Sequence, residues 1–168
     1  AKFQRITNQL IIAFRHLKPM YFQSDLYRVI YASQWTNFEK GAKGMLNSAF
    51  IESRFFVAKY IQRLAYKELL GESTNLPQSF SEELINLLLA QATGEFLAEI
   101  QLEVLETFIA LARIQHFRGS LVPAFEFFID LHKQGLIFKS NLKCFAHLLS
   151  ELALYEDIDW RKFKLLDL

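Results

Sequence analysis

Apolar residues in this chain recur at helical spacing almost from end to end, and nowhere is there a convincing alternation of period two. Side chains three and four positions apart share one face of a helix, whereas a half-buried strand needs an apolar residue at every second position, so the pattern predicts an all-α fold. Glycine and proline are sparse, 6 and 3, and fall where the pattern breaks. A first helix is expected over about Phe3 to Leu17, ended by Pro19, and a second over Asp25 to Gln34 with Ser24 as its cap. A short third follows Asn37, weakened by Gly41 and Gly44. The fourth, about Ser48 to Leu70, is rich in strong helix formers and is stopped by Gly71 in a left-handed conformation.

Residues 71–79 have the composition of a loop and make a candidate hinge between helical halves 1–70 and 80–168. Beyond it, Ser79 and Glu82 read as a capping box, and Thr93-Gly94 splits off a helix running to about Ile114. Gly119 and Pro123 read as breaks. A helix from about Pro123 to Gln134 stops at Gly135, Ser140 caps one from Asn141 to about Tyr155, and a last short helix follows Asp157. This gives eight or nine antiparallel helices joined by short loops, with stacked helical hairpins as the preferred arrangement and a bundle, or two small bundles, as the alternative. The runs Tyr66 to Leu69 and Tyr155 to Ile158 close the two halves in a similar way.

With 168 residues, 52% of them hydrophobic, the chain has the size and apolar content of one domain. Nineteen Lys and Arg oppose 18 Asp and Glu, so no strong field points to nucleic acid, membrane or an acidic substrate. Arg15, Arg54, Glu106 and Asp130 interrupt every apolar run before the roughly 18–20 residues of a membrane span, so no membrane insertion is expected. The one cysteine, Cys144, leaves no intramolecular disulfide and fits a reducing, intracellular setting, cytoplasmic or nuclear; its apolar neighbours suggest a packed thiol rather than a nucleophile. The start lacks an initiator Met and a signal-peptide core, which reads as an internal fragment or a processed chain.

The motifs of phosphate cradles, nucleophile elbows, zinc proteases and thiol redox centres are missing, as is the Glu-x-x-His pair of helical di-iron sites. His147 with Glu151, one helical turn apart, and Asp130 with His132 are the remaining pairs, and a surface ion pair is the commoner fate of the first. No catalytic, cofactor or metal-binding residue is therefore assigned, no cofactor is expected, and a non-enzyme is favoured.

Surface features carry the functional reading instead. Along the fourth helix Ile51, Phe55, Ala58, Ala65 and Leu69 share a stripe expected to be core, while Lys59, Arg63 and Lys67 follow at four-residue steps on a neighbouring face with Phe56 and Tyr60 beside them. Basic groups next to aromatics suit a phosphate backbone with stacked bases, or an acidic peptide with an apolar anchor; a solvated basic stripe is the plain alternative. Arg54 projects to the apolar side and should pair with a carboxylate or reach an interface. Phe125, Phe127, Phe128 and Phe138 cannot all face one core stripe, which makes Phe127 and Phe128 further contact candidates. A total of 17 Phe, within a 15% aromatic share, adds to the expectation of an association surface. The acidic Glu156, Asp157 and Asp159 suit a cap for the last helix.

The run from Ala110 to Phe125 (ALARIQHFRGSLVPAF), followed by Ser140 to Leu149 (SNLKCFAHLL), resembles the middle domain of eukaryotic initiation factor four-G and its relatives in RNA surveillance and splicing, over about Phe96 to Trp160. That resemblance implies stacked hairpins and a scaffold that docks helicases or other RNA-processing proteins, sometimes with RNA contact, without catalytic residues of its own. Over nearly the same residues, Gly135 to Leu149 is also similar to the fifth-helix region of death effector domains, six-helix adaptors. Tyr66 to Leu69 and Tyr155 to Ile158 would fall at that family's Arg-x-Asp-Leu position, and both lack the arginine. Three classes thus stand as expectations. They are a protein-interaction scaffold with a protein partner, RNA left open; a homotypic adaptor, with the oligomeric state undetermined; and a helical ligand-binding protein or enzyme with an unrecognised pocket.

Overall fold

Two glycines with positive φ, Gly71 at 81° and Gly135 at 72°, end helices as their positions in the sequence predict. At the first, the Gly71 amide donates to the Glu68 carbonyl (3.0 Å) and that of Glu72 to the Lys67 carbonyl (3.0 Å); at the second, Gly135 donates to His132 (2.9 Å) and Leu136 to Leu131 (2.9 Å). This paired closure needs a left-handed residue, which only glycine adopts without a Cβ penalty.

The computed structural model describes residues 37–49, 51–93 and 98–155, together with residue 5. These residues are all-α, with six helices and no strand. The helices are α1 (Phe38–Leu46), α2 (Ile51–Leu69), α3 (Glu82–Ala92), α4 (Ala98–Ala112), α5 (Arg118–Lys133) and α6 (Leu142–Ala153), with short 3₁₀ turns at Gln115–Phe117 and Lys139–Asn141. Residue 5 is helical, but the expected first and second helices, and the one after Asp157 with its acidic residues, otherwise lie outside the described residues.

Local chemistry accounts for several of the helix ends. Asn37 caps α1, its side chain accepting from the Lys40 amide at 3.0 Å, and this offsets the weakness of Gly41 and Gly44. The cap of α3 is Ser81, which accepts from the Leu84 amide at 3.1 Å, not the expected Ser79 with Glu82. Phe80 explains the shift. It is buried, as is Ile85, and the two occupy the positions of a hydrophobic staple on either side of Ser81.

Gly119 and Pro123 do not break the chain as expected but lie inside α5. Pro123 cannot bond the Gly119 carbonyl, yet both residues are exposed, so water can take that carbonyl, while Leu121, Ala124, Phe125 and Phe128 are drawn into the core.

Helix α4 occupies the centre, packing against α2, α3, α5, α6 and both 3₁₀ turns. The contacts fix directions. Gln101 meets Asn141, Glu106 meets Cys144 and Arg113 meets Glu151, so α4 and α6 run parallel. Gln62 meets Glu103 and Thr107 while Glu68 approaches His116, so α2 runs the same way. The end of α3 lies at the starts of α2 and α4, through Arg54 with Gln91 and Gln101 with the Ala92 carbonyl, so α3 is antiparallel to both.

Because α4 is enclosed, its polar side chains are enclosed too. Gln101 is 1% exposed and uses its whole hydrogen-bonding capacity. Nε2 donates to the carbonyls of Ala92 (3.0 Å) and Leu136 (3.0 Å), and Oε1 accepts from the Phe138 amide (3.0 Å) and the Asn141 side chain (3.0 Å). Asn141, also buried, donates to the Ala98 carbonyl at 2.8 Å.

One apolar cluster extends from Phe38 to Leu152 and takes side chains from both sides of residues 71–79. That segment is not a free connector, since Leu76 is buried and Thr74 bridges the Glu68 carboxylate and the Leu76 amide.

Replacing Gln101 by leucine keeps the volume but strands its four hydrogen-bond partners, of which the Ala92 carbonyl and the Asn141 side chain belong to buried residues. We expect Gln101→Leu to lower unfolding free energy by about 2–4 kcal/mol, measured by urea denaturation; a loss under about 1 kcal/mol would mean that water replaces the amide.

Candidate functional site

Helix α2 presents its residues differently from the expected pattern. Phe56 and Tyr60 are not beside the basic stripe on the surface; both are in the core, 5% and 3% exposed, and they stack on each other at 5.5 Å. Tyr60 also stacks on Phe38 at 6.2 Å, and Phe38 on Phe80 at 6.0 Å. The core face of α2 is thus formed by Phe56, Val57, Tyr60, Ile61 and Leu64, with Ala58 and Ala65 also buried. Ile51 and Phe55, expected as core, are half-buried, and Leu69 is exposed. The reason lies in the neighbours: Tyr60 stacks between Phe56 and Phe38, and Phe38 continues to Phe80, so this side of α2 turns inward while Phe55 stays half-buried.

The basic stripe meets acids. Lys59 Nζ lies 2.9 Å from Glu103 Oε1. Glu103 is 7% exposed, and its other oxygen accepts from Gln62 Nε2 at 2.9 Å, so this buried carboxylate is both neutralised and hydrogen-bonded, as burial requires. Thr107 completes the seam, its hydroxyl lying within hydrogen-bond distance of the carbonyls of Glu103 (2.7 Å) and Ala58 (3.1 Å), which share its one proton. Lys67 lies 3.6 Å from Glu72, and Arg63 is half-buried. Arg54 finds no carboxylate among the described residues; its Nη1 donates to Gln91 Oε1 at 3.3 Å, on the last turn of α3. Phe128 is fully buried and edge-on to Phe108 at 5.6 Å, so it is a core residue rather than a contact residue, and Phe127 is half-buried against it at 5.8 Å.

The pairs noted for metal or acid-base chemistry are otherwise engaged. Glu151 Oε1 accepts from Arg113 Nε (3.0 Å) and Nη2 (2.7 Å), Oε2 accepts from the Tyr155 hydroxyl (3.0 Å), and His147 Nε2 lies 3.4 Å from Oε1. The Arg118 guanidinium sits 3.5 Å from the Tyr155 ring centre and donates to the Ala112 carbonyl at 2.7 Å. Burial opposes the charge on Glu151, but the hydrogen bonds from Arg113, Tyr155 and His147 outweigh it, and its carboxyl is held below the ordinary glutamate value. Asp130 is exposed, while His132 stacks on Phe145 at 4.8 Å. No group of three or more His, Cys, Asp or Glu among the described residues could hold a metal ion. Cys144 is buried and donates to Glu106 Oε1 at 3.5 Å; burial, then the charge of Glu106, pushes its thiol up to about 12.

What the structure brings together at the surface is apolar and was not expected. Tyr66, Leu69 and Leu70 are 62%, 46% and 60% exposed, and their three- and four-residue spacing puts them on one edge at the end of α2. Leu136, Leu142 and Leu154 are exposed elsewhere. No described phenylalanine is among these exposed large side chains, although eight are buried in the core. The surface depression on α3, lined by Glu82, Glu83, Asn86 and Leu87, is open to solvent rather than an enclosed apolar chamber. Among the described residues no helix is long and apolar enough to cross a membrane. No protein-family model, curated protein or solved structure matches the chain.

Two outcomes test this geometry. Because Glu151 titrates lower folded than unfolded, its contribution is fully present above the unfolded value, about 4.3, and is lost as pH falls through the folded value. Glu151→Gln should cost about 1 kcal/mol near neutral pH, and its melting temperature should fall less than the wild type's between about pH 5 and pH 3; parallel melting curves would remove Glu151 from the acid sensitivity. Cys144 should react with a thiol-directed disulfide reagent only as fast as the native protein opens, and at once in denaturant. Prompt labelling of the folded protein would contradict its burial.

Proposed function

We propose that this chain is a non-catalytic protein-interaction module built of stacked helical hairpins, and that its contact surface centres on the C-terminal edge of α2. The observation that carries this reading is the exposed trio Tyr66, Leu69 and Leu70. Single exposed leucines are ordinary on protein surfaces, but three large apolar side chains on one helical edge favour association. Burying what remains exposed of each contributes on the order of 1 kcal/mol before the costs of association are met. The stacked arrangement is supported by the common direction of α2, α4 and α6, with α3 antiparallel to its neighbours.

A protein partner is favoured over RNA for a physical reason. The aromatic rings that would stack on bases, Phe56 and Tyr60, are in the core, and Lys59 and Lys67 already face Glu103 and Glu72. The placement in an RNA-processing complex rests on the resemblance of residues 110–149 alone.

The test compares the wild type with the double variant Leu69→Asp, Leu70→Asp. Both positions are exposed, so little packing is lost, and an acid beside the helix C-terminus should cost about 0.3–1 kcal/mol each, which leaves the fold intact. Affinity capture from a native lysate, with and without nuclease, should show a defined nuclease-resistant protein retained by the wild type and lost by the variant. Retention of the same protein by the variant would overturn the assignment of this edge, and retention that disappears with nuclease would favour the RNA reading. Wild type that self-assembles in light scattering, with assembly abolished by the variant, would favour the homotypic adaptor.

A further inference from the structure

We draw no further inference here: the strongest candidate, the exposed apolar patch of Tyr66, Leu69 and Leu70 at the C-terminal end of α2, belongs to the surface already proposed, and nothing in the structure shows what covers it.

Discussion

The arrangement depends on the burial of α4 on nearly every side. Ten of its fifteen residues are buried, and three of those ten, Gln101, Glu103 and Thr107, are polar. A buried polar group without a partner costs about 1–3 kcal/mol, so each must find its partners within the protein. Gln101 takes them from the end of α3, the connector after α5 and the turn that starts α6. Glu103 and Thr107 take theirs from α2. Apolar packing supplies most of the driving force but is non-directional, and leucine against phenylalanine tolerates small slides. The amide and carboxylate contacts do not, because their geometry is narrow. They fix how far each neighbouring helix is advanced along α4.

The same division separates what could be read from the sequence. Helices were legible where a local signal marks them. Gly71 and Gly135 end α2 and α5, and Asn37 starts α1, because those effects act within a few residues. Misreadings arose where tertiary contact overrides a local rule. Pro123 continues a helix because its missing hydrogen bond faces solvent while Phe125 and Phe128 are drawn inward. Ser81 displaces Ser79 because Phe80 is buried. The facing of α2 was the largest error, and its cause is compositional: apolar residues lie all round the helix, so periodicity offers competing stripes. Only neighbours such as Phe38 and Phe80 decide between them.

Charges were legible, but apart from His147 with Glu151 their partners were not. Lys59, Arg113 and Cys144 pair with Glu103, Glu151 and Glu106, all remote in sequence, and no spacing rule connects them. Pairing changes what each group can do. A carboxylate held by arginine, tyrosine and histidine, as Glu151 is, has its lone pairs committed and is a poor metal ligand or base. Aromatic content reports how much surface a chain can bury without saying where. Among the described residues phenylalanine fills the core, and the exposed edge is made of tyrosine and leucine.

The parallel course of α2, α4 and α6 brings three helix C-termini, with their partial negative charge, to one end of the fold. Each end is closed differently. Arg118 reaches the Ala112 and Arg113 carbonyls at the end of α4 and stacks on Tyr155 just beyond α6, so that region is charged and hydrogen-bonded. At α2 the backbone closes itself: the carbonyls of Tyr66, Lys67 and Glu68 accept from the amides of Leu70, Glu72 and Gly71. No side-chain cation is needed to satisfy them, which leaves Leu69 and Leu70 free to be apolar. A partner covering this edge would displace water from leucine and tyrosine side chains without stripping it from those three carbonyls. Desolvating unpaired carbonyls is a main cost of covering a helix end. The glycine that stops α2 therefore closes three of its four terminal carbonyls by backbone alone, whereas the end of α4 is closed by the Arg118 guanidinium.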